Sequence, residues 1–318
     1  MATAAGGVAA ALSPLSGRDY LSSADCSAEE TVALLDLAAQ LKSGDRRIDL
    51  GNRVLGLIFT KASTRTRVSF QVAMARLGGQ TVDLNPSVTQ LGRGEPLEDT
   101  ARVLSRYCDV LAIRTFAQQE LVDYAYWASV PVINALTDLE HPCQALADFL
   151  TMREAHGELA GQTLAYIGDG NNVAHSLMLC GALLGVNVRI GCPEGFEPLP
   201  GVLDQARDLA QHGASIDVIT DPAQAVAGAQ AVYTDVWASM GQETEQAERE
   251  HAFSGFCVDK ELMDQAASDA IVLHCLPAHR GEEISAEVME SAASRIFDQA
   301  ENRLHAQQAL LASLMGGL

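Results

Sequence analysis

The chain has 318 residues, of which 48% are hydrophobic and 19% charged, so it can bury a sizeable core and wholesale disorder is excluded. Its 41 acidic and 21 basic side chains give a net charge of −20, which disfavours binding to a nucleic-acid backbone or to an anionic membrane surface. A small anionic ligand would have to be bound by a few local arginines or lysines. At roughly 100–200 residues per domain, the length predicts two domains.

The N-terminal end and the cysteines bear on the compartment. The Ala/Gly-rich start lacks the positive region of a signal peptide, and we expect residues 1–13 to form a frayed tail. The sequence contains no apolar stretch of about 18 residues, so we expect no transmembrane helix. The seven cysteines include no Cys-x-x-Cys pair, so neither a zinc ribbon nor a thioredoxin motif is expected. Most thiols fit core positions in a reducing compartment, which predicts a cytoplasmic protein.

The first half of the chain alternates strand-like and helix-like segments. Ser27 and Glu30 form a capping-box pattern ahead of a helix that stops at Gly44. Four strands follow, with helices between and after them. The predicted strands are Val54–Phe59, Thr81–Leu84, Asp109–Ile113 and Val130–Ile133, and the predicted helices lie at 66–77, 97–107, 118–127 and 143–154.

The second half repeats this alternation. Its predicted strands are Thr163–Ile167, Val186–Ile190, Ile216–Ile219, Ala231–Thr234 and Ile271–His274, with helices at 172–184, 201–212, 222–229, 259–267 and 285–293. Such alternation indicates an α/β fold of two doubly wound, parallel-sheet domains, which we place at residues 1–150 and 151–318. The last helix, at about 300–315, has no strand after it and is expected to pack back on the first domain.

Ligands of open α/β sheets bind beyond the carboxyl ends of the strands. In this chain, polar residues follow most of the predicted strands. They form six clusters: Ser63–Arg67, Arg114–Thr115, His141–Gln144, Asp169–Asn172, Asp235–Gly241 and His274–Pro277.

The first cluster indicates an anion site. Its Ser and Thr residues are ordinary helix N-caps. Arg65 and Arg67 are not, because a helix N-terminus carries about half a positive charge and disfavours cations in its first turn. Both arginines are explained if an anion lies on this helix end, held by backbone N–H groups, hydroxyls and a guanidinium fork. Phosphate is the expected anion, and a solvated surface pair is the alternative.

Arg114 and His141 are further candidates. Arg114 ends an apolar strand, where a buried, unpaired charge would be costly, so it should meet an anion or a carboxylate. His141 precedes Pro142 in a loop that enters a helix, with Gln144 one turn further on. His141 could donate to a carbonyl oxygen as charge develops there, although a single His is more often a structural hydrogen-bonding residue.

The second half offers two readings. The run Gly168–Asn172 contains the Gly-x-Gly of a dinucleotide fingerprint, but Val173 occupies the place of the third glycine. A nicotinamide oxidoreductase stays open, because Glu194 lies at about the spacing of a ribose-binding acid. The two asparagines suit an amino or carboxylate group instead. Asp235, ahead of Ser239–Gly241, could hold a zwitterionic amino-acid head or form an ordinary turn.

Cys275 has three readings. It lies between His274 and Leu276 at the end of a strand, where a buried core thiol is the default. A covalent nucleophile is the second reading, although the sequence specifies no adjacent base. The third is a soft neighbour to a substrate amine.

Together these clusters resemble the aspartate/ornithine carbamoyltransferase family, from about residue 14 to the C-terminus. Ser63–Arg67 and His141–Gln144 are similar to the carbamoyl-phosphate signatures shared across that family. Asp235–Gly241 and His274–Pro277 resemble the pair specific to the ornithine branch. This pair makes the match specific, because the aspartate branch binds its substrate with different, basic residues.

The resemblance assigns residues to two substrates. For carbamoyl phosphate it implies Ser63, Thr64, Arg65, Thr66, Gln90, Arg114, His141, Gln144 and Arg303, with Gln90 reaching the site from a neighbouring subunit. For ornithine it implies Asn172, Asp235, Ser239, Met240, Cys275 and Leu276. Among these, the implied catalytic residues are Arg65, Arg114, His141 and Cys275.

The implied reaction transfers the carbamoyl group from carbamoyl phosphate to the side-chain amine of L-ornithine, giving L-citrulline and phosphate for arginine biosynthesis. It implies a homotrimer with shared active sites and no metal or organic cofactor, because the phosphate already activates the carbonyl. One alternative is a related acceptor, putrescine or an N-acylated ornithine. The other is the oxidoreductase built on Gly168–Asn172.

Overall fold

The structure is a computed structural model of the chain and describes residues 5–61, 63–85, 94–238 and 246–318. The chain divides into two compact units. Unit 1 comprises Met1–Ala147 and Asn302–Leu318, and unit 2 comprises Asp148–Glu301. Both are parallel-sheet α/β units, as predicted.

Unit 1 is built on a four-stranded parallel sheet. Its strands are β1 (Val54–Phe59), β2 (Gln80–Leu84), β3 (Val110–Arg114) and β4 (Val132–Leu136), in the order β2-β1-β3-β4. The helices are α1 (Ala5–Leu12), α2 (Ala28–Ser43), α3 (Thr64–Arg76), α4 (Leu97–Leu104), α5 (Gln118–Trp127), the start of α6 (Pro142–His156), and most of the C-terminal helix (Ile296–Leu314). The strand order reverses between β1 and β3, which is where ligands of open sheets bind.

The C-terminal helix belongs to unit 1 from Asn302 onward, as predicted. Lys42 Nζ donates a 2.7 Å hydrogen bond to Asn302 Oδ1, and Gly17 N donates to the carbonyl of Leu314 at 2.9 Å. These contacts join this part of the C-terminal helix to the rest of unit 1.

The expectation of a frayed N-terminal tail is wrong from Ala5 onward. Ala5–Leu12 forms the α-helix α1, which packs against α2. Alanine has the highest helix propensity, and Val8 and Leu12, one turn apart, are fully buried. Burial of this short apolar face holds the helix in place.

Unit 2 is built on a five-stranded parallel sheet. Its strands are β5 (Thr163–Ile167), β6 (Asn187–Gly191), β7 (Ile216–Ile219), β8 (Ala231–Thr234) and β9 (Ile271–His274), in the order β7-β6-β5-β8-β9. Besides the rest of α6, its helices are α7 (Asn172–Leu183), α8 (Pro200–Leu209), α9 (Pro222–Val226), α10 (Gln246–Ala252), α11 (Lys260–Met263), α12 (Ala286–Met289) and the start of the C-terminal helix, α13. The strand order reverses between β5 and β8, so the loops after these strands adjoin.

Candidate functional site

The polar residues that follow β1 and β3 meet at the reversal point of unit 1. Ser63 precedes α3 in an extended conformation, and its side chain makes no capping hydrogen bond to the helix. Thr66 lies in the first turn of α3 and is buried, whereas Thr64 and Arg65 are exposed. Arg114 is the last residue of β3 and is buried. The first turn of α3 and the end of β3 therefore form one corner of the sheet.

Arg303 of α13 joins this corner through its guanidinium group. Nη2 donates to Thr66 Oγ1 at 2.6 Å, and Nη1 donates to Gln144 Oε1 at 3.0 Å. Arg303, Thr66 and Gln144 are all at most 3% exposed. Three residues distant in the sequence thus form one buried network.

The corner concentrates positive charge. Burial is the main cause that lowers the pKa of Arg114 to about 10, and the charges of Arg303 and Arg65 lower it further. Arg114 Nε is buried and has no hydrogen-bond partner among the described residues. Crowding and desolvation of cations cost free energy, and a bound dianion would offset that cost.

His141 lies in the same field and is held neutral. Burial lowers its pKa well below the ordinary value, and the charges of Arg303, Arg114 and Arg65 add to the effect. A neutral imidazole can donate one hydrogen bond without adding a further positive charge. The neighbouring Glu140 anchors this loop, because its Oε2 accepts a 3.0 Å hydrogen bond from the backbone N–H of Ser23.

Arg67 does not share the anion-binding role expected from the sequence. Its Nη1 pairs with Asp83 Oδ2 at the end of β2, and its guanidinium lies 5.1 Å from the centre of the Phe59 ring. These partners account for its charge locally. Arg65, by contrast, is exposed in the first turn of α3, and it keeps the assignment to the anion as a prediction.

In unit 2, Asp235 is the centre of a second polar cluster. It follows β8 and is 6% exposed. Its Oδ1 accepts hydrogen bonds from the Cys275 thiol at 2.9 Å and from the backbone N–H of Val236 at 2.8 Å. Its Oδ2 accepts one from Asn171 Nδ2 at 3.1 Å. The carboxylate and thiol assigned to ornithine are thus in direct contact.

The sequence singles out Asn171 and Asn172 together, and only Asn172 is assigned to ornithine. The side-chain oxygen of Asn171 caps α7 by accepting from the N–H groups of Val173 and Ala174, and its amide nitrogen orients Asp235. The assigned residue, Asn172, is half-buried at the first position of the helix. The two adjacent asparagines have the same sequence signal, and only the turn geometry distinguishes the cap, Asn171, from the half-buried Asn172.

Leu276 follows Cys275 with an unusual backbone conformation. Its φ is +61°, in the left-handed region that non-glycine residues rarely adopt. Its N–H donates a 2.8 Å hydrogen bond to His274 Nδ1. The imidazole therefore supports the loop that presents Cys275 and Leu276.

Comparisons with known proteins identify the family of the chain. Residues 18–154 match a family model described as the carbamoyl-P binding domain of aspartate/ornithine carbamoyltransferase, and residues 160–314 match the Asp/Orn binding domain of the same family. The chain belongs to the aspartate/ornithine carbamoyltransferase family. The family predicted from the sequence is confirmed.

Individual relatives agree. The chain is 89% identical over 318 residues to an ornithine carbamoyltransferase of Parasynechococcus marenigrum, with 100% of both chains covered, and 79% identical to one of Prochlorococcus marinus strain MIT 9313, with 98% of each covered. Among solved structures, ornithine carbamoyltransferase from Pyrococcus furiosus is 50% identical with a TM-score of 0.91, covering 96% of this chain and 99% of that one. The Gloeobacter violaceus structure is 55% identical with a TM-score of 0.86, covering 94% and 98%.

Family membership disfavours a nicotinamide oxidoreductase. The geometry of the glycine-rich turn gives a separate physical reason against it. A Cβ built on Gly170 would lie 2.2 Å from Pro198 N and 2.7 Å from the carbonyl oxygen of Phe196. Gly170 N donates to that same carbonyl at 2.8 Å. In a dinucleotide fold this glycine makes room for the pyrophosphate. Here the chain's own loop at 196–198 fills the space.

Three assigned residues lie outside the described residues: Gln90, Ser239 and Met240. Their roles in this family member stay predictions. None of the described helices is long and apolar enough to cross a membrane.

Two groups of side chains in the described ranges have potential metal-ligand atoms within 4.8 Å of one another. They are Asp235, His274 and Cys275, and His279, Glu282 and Glu283. In the first group, the Cys275 thiol donates a hydrogen bond to Asp235, and His274 Nδ1 accepts one from Leu276 N. The potential metal-ligand atoms of this group are therefore engaged in hydrogen bonds. In the second, His279 is half exposed beside Glu282, an arrangement common without a metal. The sequence implies no metal, and that stays a prediction.

Proposed function

We propose that this carbamoyltransferase transfers the carbamoyl group of carbamoyl phosphate to the side-chain amine of L-ornithine, releasing L-citrulline and phosphate. The observation that carries the proposal is the buried corner of Arg114, Arg303 and neutral His141, with Arg65 exposed at its edge. The arginines would bind the phosphate, and the neutral imidazole beside them would donate a hydrogen bond to the carbonyl. Carbamoyl phosphate carries both groups.

The phosphate is assigned to the first turn of α3. Ser63, Thr64, Arg65 and Thr66 offer hydroxyls, backbone N–H groups and one guanidinium fork, and Arg114 adds a second cation. The Ser63 hydroxyl is not used as a helix cap, so it can donate to a phosphate oxygen. Gln144 and Arg303, which are joined by a hydrogen bond, would bind the carbamoyl group.

The chemistry is acyl transfer. The neutral δ-amine of ornithine attacks the carbonyl carbon, negative charge develops on the carbonyl oxygen, and phosphate leaves. His141 would donate to that oxygen, and Arg65 and Arg114 would stabilise the leaving dianion. Orientation and electrostatic stabilisation suffice, because phosphate is already a good leaving group, so no metal or organic cofactor is required.

The acceptor is assigned from the cluster in unit 2. The carboxylate of Asp235 would bind the α-ammonium group, and Asn172 and Ser239 would bind the rest of the amino-acid head. Cys275, Leu276 and Met240 would line the path of the side-chain amine. An anionic Asp235 favours a free amino-acid head over putrescine, which has none, and over N-acylated ornithine, whose α-nitrogen is uncharged.

The proposal extends to assembly and setting. A trimer with Gln90 completing a neighbouring site is supported by exposed apolar residues of unit 1: Val68 and Val72 on α3 and Val82 on the edge strand β2 are 50%, 37% and 45% exposed. Such residues suit contact with a second copy of the chain. The reaction fits a role in arginine biosynthesis. The predicted reduced thiols fit a location in the cytoplasm.

The deciding experiment is citrulline formation by the purified enzyme from carbamoyl phosphate and L-ornithine. Parallel reactions replace ornithine with putrescine or with N-acetylornithine. We expect citrulline and phosphate in equal amounts, and kcat/KM for ornithine well above that for either substitute. An enzyme that carbamoylates putrescine or N-acetylornithine better than ornithine contradicts the assignment of Asp235, and one that carbamoylates none of the three contradicts the proposed reaction.

A further inference from the structure

We propose that Glu283 is a positioning residue for the ornithine site, acting through His274 on the loop that carries Cys275 and Leu276. The proposal deepens the proposed function and rests on it. Glu283 lies outside the motif that the sequence analysis singled out, and no substrate-binding role is assigned to it.

Glu283 and His274 form a pair isolated from solvent. Both side chains are 0% exposed, and Glu283 Oε1 lies 3.0 Å from His274 Nε2. A carboxylate is seldom placed in a protein interior unless it is paired, because its desolvation is costly. The position of this carboxylate is therefore strongly specified by its partners.

The hydrogen bonds define the protonation pattern of the imidazole. The backbone N–H of Leu276 donates to His274 Nδ1 at 2.8 Å, so Nδ1 carries a lone pair. The ring proton must then be on Nε2, where it donates to Glu283 Oε1. An ionised carboxylate can only accept, so Glu283 selects this tautomer, as carboxylates do for metal-bound and catalytic histidines.

Glu283 also holds the far end of the same loop. Its Oε1 accepts a second hydrogen bond, 2.6 Å long, from the backbone N–H of His279. Its own backbone carbonyl accepts from Val258 N at 2.8 Å, which ties Glu283 to a neighbouring segment. One carboxylate oxygen thus anchors both ends of residues 274–279.

The anchored loop contains the residue in the left-handed conformation. A φ of +61° at Leu276 costs free energy and persists only where surrounding contacts over-determine it. The hydrogen bond from Leu276 N to His274 is such a contact. Next to it, the Cys275 thiol reaches Asp235 Oδ1 at 2.9 Å. Releasing His274 would therefore displace the two side chains assigned to the amine of ornithine, and leave the carbamoyl-phosphate residues of unit 1 in place.

Two substitutions at Glu283 distinguish the effect of losing the hydrogen-bond acceptor from the effect of losing the negative charge. Glu283→Gln keeps an oxygen that can accept from His274 and from His279 N, whereas Glu283→Leu has no acceptor. We expect KM for ornithine to rise about tenfold or more in the leucine variant. KM for carbamoyl phosphate should change less than about twofold, and the glutamine variant should recover most of the ornithine affinity.

Two control variants accompany them. Glu282→Gln makes the same chemical change one residue earlier. The Glu282 side chain is 41% exposed, and its Oε2 lies 3.6 Å from His279 Nδ1, so we expect wild-type kinetics. Ile216→Ala removes buried volume from β7, the edge strand farthest from β9, and should lower the melting temperature without changing the ratio of the two KM values. A ratio that changes only in the Glu283 variants separates positioning from loss of stability.

The tautomer can be measured in the wild-type enzyme, which needs no variant to fold. Nitrogen-15 NMR of histidine-labelled protein, with His274 assigned from the spectrum of His274→Gln, should show Nε2 protonated and Nδ1 unprotonated. A protonated Nδ1, or a Glu283→Leu enzyme whose KM for ornithine equals that of the wild type, overturns the proposal. Absence of citrulline formation by the wild type would instead contradict the proposed function.

Discussion

Arg303 Nη2 donates a 2.6 Å hydrogen bond to Thr66 Oγ1, although the two residues are 237 positions apart in the sequence. Arg303 lies on the C-terminal helix and Thr66 in the first turn of α3, and both are buried. The same guanidinium reaches Gln144 at 3.0 Å. The C-terminal helix therefore supplies a cation to the buried corner formed by α3 and the end of β3, for which carbamoyl phosphate is the proposed ligand.

The first prediction concerns the guanidinium fork of Arg65. Arg65→Lys keeps the charge but loses planar, bidentate geometry, so it should reduce transition-state stabilisation by about 2–4 kcal/mol, measured as the fall in kcat/KM for carbamoyl phosphate. The matched control is Arg67→Lys, because Arg67 is engaged by Asp83 and Phe59. That variant should retain near wild-type kinetics. Near wild-type kcat/KM in Arg65→Lys would remove Arg65 from the site.

The second prediction concerns the neutral state of His141. Its pKa in the folded protein lies well below the unfolded value, so below pH 6.5 the unfolded chain binds a proton that the folded chain does not. His141 therefore lowers the free energy of unfolding as pH falls, by up to about 1.4 kcal/mol per pH unit. In His141→Gln this contribution disappears, and the loss of stability with falling pH should be shallower.

The measurement is urea unfolding of both ligand-free proteins at pH 7.5, 6.5 and 5.5. Titrations of other groups occur in both proteins and cancel in the comparison. Parallel stability profiles for the wild type and His141→Gln would mean that His141 protonates equally in the folded and unfolded states, contrary to the burial and the neighbouring cations described above.

The third prediction concerns the role of the Cys275 thiol. The thiol donates to Asp235 Oδ1, and a serine hydroxyl could make the same hydrogen bond. Cys275→Ser should therefore retain measurable turnover, with a changed KM for ornithine and a changed pH dependence of kcat. Cys257→Ser, at a half-buried cysteine outside the proposed site, serves as the control. A trapped carbamoyl-thioester on Cys275, or ping-pong kinetics, would show that the thiol is a covalent nucleophile instead.

The fourth prediction tests the shared site of the proposed trimer. If Gln90 of one chain completes the site that contains Arg65 of the next, Gln90→Ala and Arg65→Ala should each be inactive and should complement each other. Unfolding the two variants together and reassembling them at random should restore about a quarter of all sites, by counting arrangements around a three-fold ring. Mixed trimers, verified by mass, that gain no activity would place the complete site within one chain.

Much of the fold was predictable because its central strands, such as β1, β3 and β5, are nearly continuous apolar runs bounded by polar turns. Val54–Phe59 and Thr163–Ile167 begin and end at the predicted residues. Helix ends were less predictable: 259–267 contracts to Lys260–Met263, and the last helix begins at Ile296, before the predicted 300. Where a helix stops depends on caps and tertiary contacts, which a residue pattern represents poorly.

The sequence by itself determined the fold class and the family, because apolar periodicity and short polar motifs are local properties of the chain. Only the tertiary structure decided which partner each of several similar side chains contacts. It assigned Arg67 to Asp83, made Asn171 the cap that orients Asp235, and brought Glu283 beneath His274. Each of these outcomes depends on distances between elements far apart in the chain, and hydrogen bonds and buried charges are decided by such distances rather than by local pattern.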